Sequence, residues 1–111
     1  MEKIRIATAQ FEMNSGDKKV NLGIIKDLSA KAAEAGAQVI AFHECSVSGY
    51  SFARKLSYEQ LLDIAEFIPD GPSVNELIAI AREHKIAILS GLFEKDKAGK
   101  SHRHSAFMTW C

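Results

Sequence analysis

The sequence has few cysteines, no excess of either charge and no long apolar run. Two cysteines among 111 residues are too few for a disulfide framework, so a reducing, cytoplasmic compartment is expected. The 14 basic and 14 acidic side chains give a formal net charge of zero, whereas a nucleic-acid-binding protein needs a basic excess. The longest apolar run, Ile86 to Phe93, has eight residues, and a membrane-spanning helix requires about 20. We therefore expect neither a nucleic acid nor a membrane as a partner.

The remaining composition is that of an ordinary globular domain. Hydrophobic residues make up 47% and charged residues 25% of the chain, which is typical of folded domains. The length suits one domain better than two. The first residues include the charged Glu2, Lys3 and Arg5 and lack the apolar segment of a signal peptide.

The first half of the chain has the pattern of a strand, a helix and a second strand. Lys3 to Gln10 alternates β-branched with charged residues and predicts a strand. Asp17 to Ala35 has apolar residues at helical spacing, and Ala37 to Phe42 is a short apolar strand of the kind that is covered on both faces. The apolar stripe of the helix consists of Val20, Ile24, Ile25, Leu28, Ala32 and Ala35. This order predicts a parallel βαβ unit with a right-handed crossover.

Two capping boxes mark helix starts in the second half. Ser57 with Gln60 predicts a short helix, and Ser73 with Glu76 predicts a longer helix that ends near His84. The other predicted elements are a third strand over Ile86 to Phe93, a turn over Lys95 to Lys100 and an antiparallel strand over Ser105 to Trp110. The predicted fold class is therefore α/β, in the order β-α-β-α-α-β-β with strands one to three parallel.

Three carboxylates follow the predicted parallel strands directly: Glu12, Glu44 and Glu94. Ligands of open α/β sheets bind beyond the carboxyl ends of such strands. Glu44 follows a fully apolar strand, where partial desolvation would raise the pKa of a carboxyl group and suit it to general-base catalysis. From position alone, a glutamate that caps a helix or faces solvent is an equal alternative.

The cysteine and histidine residues give weaker indications. Cys45 adjoins His43 and Glu44, but contiguous residues rarely form a catalytic triad, so we interpret Cys45 as a small buried residue. His102 and His104 would share one face of a strand and could bind zinc, which needs three or four protein ligands. No further ligand stands out, so histidines that face solvent beside a turn are favoured, and no metal site is predicted.

Several short motifs, in order along the chain, resemble the N-terminal part of the nitrilase, or carbon–nitrogen hydrolase, superfamily. The chain departs from the family at His43, where proline is usual, and at Arg103 and His104, where a Tyr-Asn-like pair is common. The matching segments are Ala7-Thr8-Ala9-Gln10, Asn21-Leu22, Gly36-Ala37, Ala41-Phe42-His43-Glu44, Ser48-Gly49-Tyr50, Gly71-Pro72 and Gly91-Leu92-Phe93-Glu94.

The resemblance implies the N-terminal part of an α-β-β-α sandwich and a Glu-Lys-Cys triad that hydrolyses amides or nitriles. In that triad Glu44 would be the general base, the lysine would stabilise developing charge, and the cysteine would attack the substrate carbon. The resemblance also implies a small-molecule amide or nitrile substrate, no cofactor and a homo-oligomer. Residues that bind the substrate are not identified, Glu94 being the one candidate.

By the same resemblance, the catalytic lysine and cysteine would come later in the chain than residue 111. Cys111 itself has no following helix to position it, so we do not interpret it as the nucleophile. Residues 1–111 are therefore expected to form a partial domain, truncated before both residues, inactive alone and prone to self-association.

Two alternatives remain open. One is a metal-dependent phosphoesterase-like sandwich, in which Glu12 or Glu94 would join Glu44 around Mg²⁺. The other is a non-catalytic fragment or interaction module.

Overall fold

Strands and helices alternate along the part of the chain that the computed structural model describes. That part comprises residues 3–12, 14–43, 45–49, 55–68, 70–95 and, for the backbone, 101–108. The elements in chain order are β1 (Ile6–Ala9), α1 (Lys18–Glu34), β2 (Val39–Phe42), α2 (Tyr58–Ile64), α3 (Pro72–His84), β3 (Ala87–Lys95) and β4 (Ser101–Met108). The order β-α-β-α-α-β-β is the predicted one.

The four strands form one sheet in the order β1-β2-β3-β4. β1 pairs with β2, and β2 with β3, in parallel, while β4 runs antiparallel to β3. The prediction of an α/β fold with strands one to three parallel is therefore confirmed. The carboxyl ends of the three parallel strands lie at the same edge of this sheet.

Helix α1 begins where its sequence predicts and buries part of its predicted apolar stripe. Asp17 is the N-cap, and its carboxylate accepts a hydrogen bond from the Val20 N–H at 3.1 Å. Val20, expected in the apolar stripe, is 42% exposed. The fully buried positions are Asn21, Ile25 and Ser29, which are spaced four residues apart and therefore share one face. Of the predicted stripe, Ile25, Leu28 and Ala32 lie in or against the core. The inward face also includes the polar Asn21 and Ser29, which hydrophobic spacing did not predict.

The two predicted capping boxes have opposite outcomes. Ser57 and Gln60 form both reciprocal hydrogen bonds at the start of α2, as predicted. The prediction of a capping box at Ser73 is wrong. Helix α3 begins at Pro72, and its N-cap is Gly71, which has no side chain to cap the helix. Proline is favoured at the first helical position, where its missing N–H is not needed. Ser73 therefore lies inside the first turn of α3, where its hydroxyl donates a hydrogen bond to the Glu66 carboxylate.

Strand boundaries differ from the prediction by several residues. β1 and β2 are shorter than predicted, at four residues each. β3 continues past Phe93 to Lys95, because Glu94 and Lys95 pair with His102 and Ser101 of β4. β4 therefore begins four residues before the predicted Ser105. The predicted turn, apart from Lys95, and residues 109–111 at the chain end lie outside the described residues.

Helices α1 and α3 pack together over one face of the sheet. The centre of this core consists of Ile25, Ile40, Leu77, Ile80 and Ile88, all buried. The inter-helix and helix–sheet contacts join residues far apart in sequence, so this core fixes the positions of the strand ends.

The other face of the sheet is apolar and open. In register, Ile6 lies beside Val39 and Ala87, and Thr8 lies beside Ala41 and Leu89. Ile6 is 65% exposed and Leu89 is 37% exposed. We call these six residues the open sheet face.

Candidate active site

Two of the three carboxylates singled out in the sequence, Glu12 and Glu94, lie at or beside the carboxyl-end edge of the parallel strands. Glu12 follows β1 and is exposed. Glu94 is the next-to-last residue of β3 and is partly buried. Its backbone lies beside that of Glu66 in a parallel β-bridge. Glu44, the predicted general base, lies outside the described residues, so its role stays a prediction. Its neighbours His43 and Cys45 are both described.

Residues 45–49 form a fully buried turn immediately after position 44. Cys45 has a positive φ of 51°, and its carbonyl accepts a hydrogen bond from the Gly49 N–H at 2.8 Å. Gly49 also has a positive φ, of 97°, which glycine adopts without steric cost. The Cys45 side chain packs with Ala65 and Phe93. Its burial agrees with the interpretation of Cys45 as a small core residue.

Asn21 of α1 connects this turn to the segment after β1. Its amide group donates to the Val47 carbonyl and to the Asn14 carbonyl, each at 2.8 Å, and its side-chain oxygen accepts from the Asn14 N–H at 2.8 Å. The Gly16 N–H donates to the Ser48 carbonyl at 2.9 Å. Sequence reasoning missed this role, because a buried asparagine on a helix differs from an exposed one only by its tertiary partners.

The same turn is attached to β3 on its other side. The Val47 N–H donates to the Gly91 carbonyl at 3.2 Å. The hydroxyl groups of Ser46 and Ser90 lie 2.7 Å apart and are both buried. Backbone and side-chain bonds thus hold residues 45–49 between α1 and β3.

His43 lies at the end of β2 with its ring against Phe11. The ring centroids are 4.8 Å apart at 70°, an edge-to-face contact. Both ring nitrogens are shielded from solvent and have no hydrogen-bond partner among the described residues. Burial lowers the pKa of His43 below its ordinary value of 6.5, so the ring is neutral at physiological pH.

A cavity of about 390 Å³ opens at this edge of the sheet. It lies beside the ends of β1 and β2 and is large enough to accept a small organic group. Its lining residues are Thr8, Ala9, Gln10, Ala41, Phe42 and His43.

Glu66 is a buried carboxylate near this edge that the sequence analysis did not single out. It is 5% exposed and accepts hydrogen bonds from the Lys18 ammonium at 2.7 Å, from the Ser73 N–H at 2.7 Å and from the Ser73 hydroxyl. Burial alone would raise the pKa of Glu66, but the bonds from Lys18 and Ser73 outweigh it and hold this pKa below 4.5. The one sequence signal was a charged residue that follows Ala65 and precedes the helix-breaking segment Pro-Asp-Gly-Pro at residues 69–72.

Neither a metal centre nor a membrane span is found in the ranges given above. No three histidine, cysteine, aspartate or glutamate side chains within them are grouped so that they could hold a metal ion. Among the helices that the structure describes, none is long and apolar enough to cross a membrane.

Several known proteins are similar to this chain in sequence. The carbon–nitrogen hydrolase family profile matches residues 5–109. An arylacetonitrilase from Fusarium vanettenii is 33% identical over 111 aligned residues, which cover 96% of this chain and 31% of that protein. A nitrilase from Pyrococcus abyssi is 28% identical over 93 residues, which cover 84% of this chain and 34% of that protein.

Solved structures agree with the sequence comparisons. The amidase from Nesterenkonia sp. AN1 superposes with a TM-score of 0.72 at 25% identity, over 95% of this chain and 39% of the amidase. This chain spans about a third of the length of the curated relatives it matches. Because the family profile covers nearly the whole chain, this protein belongs to the carbon–nitrogen hydrolase family.

Proposed function

We propose that this chain supplies the general base, Glu44, of a hydrolase that cleaves amide or nitrile groups with a Glu-Lys-Cys triad. The observation that carries the proposal is the family match over residues 5–109. The place of position 44 in the sequence supports it, since it follows β2 at the edge of the sheet where ligands of α/β proteins bind. The names of the relatives, nitrilase, arylacetonitrilase and amidase, support an amide or nitrile substrate.

The proposed reaction is a double displacement. Glu44 takes the proton of the cysteine thiol, and the thiolate attacks the carbon of the amide or nitrile. With an amide, protonated Glu44 gives this proton to the leaving amine, so that a thioester forms and ammonia departs. With a nitrile, Glu44 gives the proton to the nitrile nitrogen and a thioimidate forms, and a first water converts it to the thioester with release of ammonia. Water, activated by Glu44, then hydrolyses the covalent intermediate and regenerates the thiol. The lysine stabilises the negative charge that develops at the substrate.

We further propose that the lysine and the cysteine are encoded after residue 111, so that residues 1–111 alone do not catalyse. This proposal rests on the order of triad residues in the family and on the share of the relatives that this chain covers. The family match also favours carbon–nitrogen hydrolysis over the alternative of a metal-dependent phosphoesterase.

Ammonia release from simple amides and nitriles tests the location of the triad. The 111-residue polypeptide should release none above background, whereas a polypeptide translated through the continuing reading frame should be active. Alkylation of cysteine should abolish that activity. Cysteine-dependent turnover by residues 1–111 alone would overturn this part of the proposal.

A further inference from the structure

We propose that Asn21 is a positioning residue for the catalytic glutamate. The inference rests on the proposed role of Glu44 and adds the group that fixes the backbone beside it. Asn21 is fully buried on α1, far in sequence from position 44, and its amide reaches the turn that follows this position.

The hydrogen bonds of Asn21 use the whole of its side chain. Its two N–H groups donate to Val47 and Asn14, and its oxygen accepts from Asn14, all at 2.8 Å. Aspartate would have no N–H to donate, and leucine would leave the Val47 carbonyl and the Asn14 N–H without this partner. Only a primary amide of this length provides two donors and an acceptor at that place. The residue type is therefore specified by the turn and not by the helix.

The bond to Val47 is one half of a two-sided attachment. The Val47 carbonyl accepts a hydrogen bond from the Asn21 amide of α1, and the Val47 N–H donates one to the Gly91 carbonyl of β3. The Val47 side chain is fully buried in the core between them. Residues 45–49 are thereby fixed relative to α1 and the sheet. Before position 44, β2 is fixed by its pairing with β1 and β3.

Fixed backbone on both sides of position 44 has a catalytic consequence. A general base must lie within hydrogen-bond reach of the proton that it accepts. A displacement of about 1 Å in a reacting group can lower the rate by about 100-fold. Loss of the Asn21 bonds should therefore lower kcat while substrate binding, which uses other groups, changes little.

The first test measures the turn directly, without any assumption about catalysis. Cys45 is buried in this turn, so its alkylation by iodoacetamide reports opening of residues 45–49. Trypsin releases residues 32–54 as one peptide with Cys45 as its single cysteine, and mass spectrometry can follow its modification. In Asn21→Ala the alkylation rate should rise about tenfold or more, because buried backbone groups lose their partners.

Ser29→Ala is the matched control. Ser29 is a fully buried polar residue on the same face of α1, and its hydroxyl has no hydrogen-bond partner within the described ranges. Its substitution should leave Cys45 alkylation within about twofold of wild type, because the bonds to the turn stay intact. Equal alkylation rates in the Asn21 and Ser29 variants would overturn the proposal.

The second test separates positioning from stability in the polypeptide that includes the triad. Asn21→Ala and Asn21→Asp should both lower kcat, by about 10-fold to 100-fold, with KM changed by less than about threefold. Ser29→Ala should leave both constants near wild type. Unchanged kcat in folded Asn21 variants would overturn the positioning role.

A third measurement covers the case in which the Asn21 variants do not fold. In the wild-type protein, amides of residues 46–49 should exchange with deuterium as slowly as those of α1, because the turn opens only with the core. Exchange as fast as in an unstructured peptide would contradict the proposal. If Glu44→Gln retains full activity, the proposed function fails, whereas the alkylation and exchange results still decide whether Asn21 fixes the turn.

Discussion

The Lys18 ammonium lies 2.7 Å from the Glu66 carboxylate and joins the start of α1 to the segment before α3. Glu66 also accepts two bonds from Ser73 in the first turn of α3, where a negative charge is favourable. The Glu66 backbone N–H donates a hydrogen bond to the Phe93 carbonyl of β3, and the Glu66 carbonyl accepts one from the Lys95 N–H. One buried carboxylate thus connects two helices and the third strand near the candidate active site.

Removal of the Glu66 carboxylate should destabilise the fold strongly. In Glu66→Ala, Lys18 loses its buried counter-ion and the first turn of α3 loses its acceptor, so the free energy of unfolding should fall by about 3 kcal/mol. Glu59→Ala is the control, since Glu59 is an exposed carboxylate on α2 and should cost less than about 0.5 kcal/mol. Urea denaturation measures both. Equal effects of the two substitutions would show that the Glu66 contacts contribute no net stability.

Glu66 should also make the fold sensitive to acid. Its pKa is below 4.5 in the folded protein, so the unfolded chain binds the proton more tightly. The stabilisation is present above about pH 4.5 and is lost as pH falls through the lower, folded pKa. The midpoint of urea unfolding should fall with pH in this range for the wild type and fall less steeply in Glu66→Gln. Identical pH profiles would contradict the assigned contacts.

His43 should destabilise the fold as it becomes protonated. Burial lowers its pKa below 6.5, so the neutral ring is favoured in the folded state and stability is lost as pH falls from 6.5 through the folded pKa. His43→Phe keeps an aromatic ring against Phe11 and removes two shielded nitrogens that have no hydrogen-bond partner among the residues the structure describes. It should raise stability by about 1 kcal/mol at pH 7 and remove this pH dependence. A less stable variant would indicate that the imidazole nitrogens are satisfied in solution.

The open sheet face should cause residues 1–111 to self-associate when no other chain covers it. Exposed apolar area is worth about 25 cal/mol per Å² on burial, and Ile6 and Leu89 are both exposed there. The double variant Ile6→Lys with Leu89→Lys should reduce association in sedimentation experiments. Val20→Lys, which changes an exposed apolar residue of α1, should not. A monodisperse wild-type monomer with a sharp unfolding transition would contradict this prediction.

Features set by local chemistry were predictable from the sequence. The Ser57 capping box depends on residues within one turn of each other and formed as expected. The first helix likewise begins next to Asp17, where the prediction placed its start. The parallel order of the first three strands followed from alternating strand and helix patterns, because right-handed crossovers leave few topologies.

Features set by tertiary partners were not predictable in the same way. Ser73 has capping-box spacing, but Pro72 begins the helix and Glu66 takes the serine as a partner. Asn21 is buried because its amide group bonds the Asn14 and Val47 carbonyls. Hydrophobic periodicity along the helix carries no information about such hydrogen bonds to other segments. The role of Glu44 rests on family resemblance, since no local pattern distinguishes a general base from a helix cap.

The most direct test of the account is the kinetics of Glu44→Gln in the polypeptide that includes the proposed lysine and cysteine. Glu12→Gln is the matched control, since it changes an exposed carboxylate after the neighbouring strand β1. Because general-base catalysis contributes about 100-fold or more, kcat/KM for ammonia release should fall by at least that factor in the Glu44 variant. It should stay within about twofold of wild type in the Glu12 variant. A folded Glu44→Gln protein with wild-type kcat/KM would contradict the central claim.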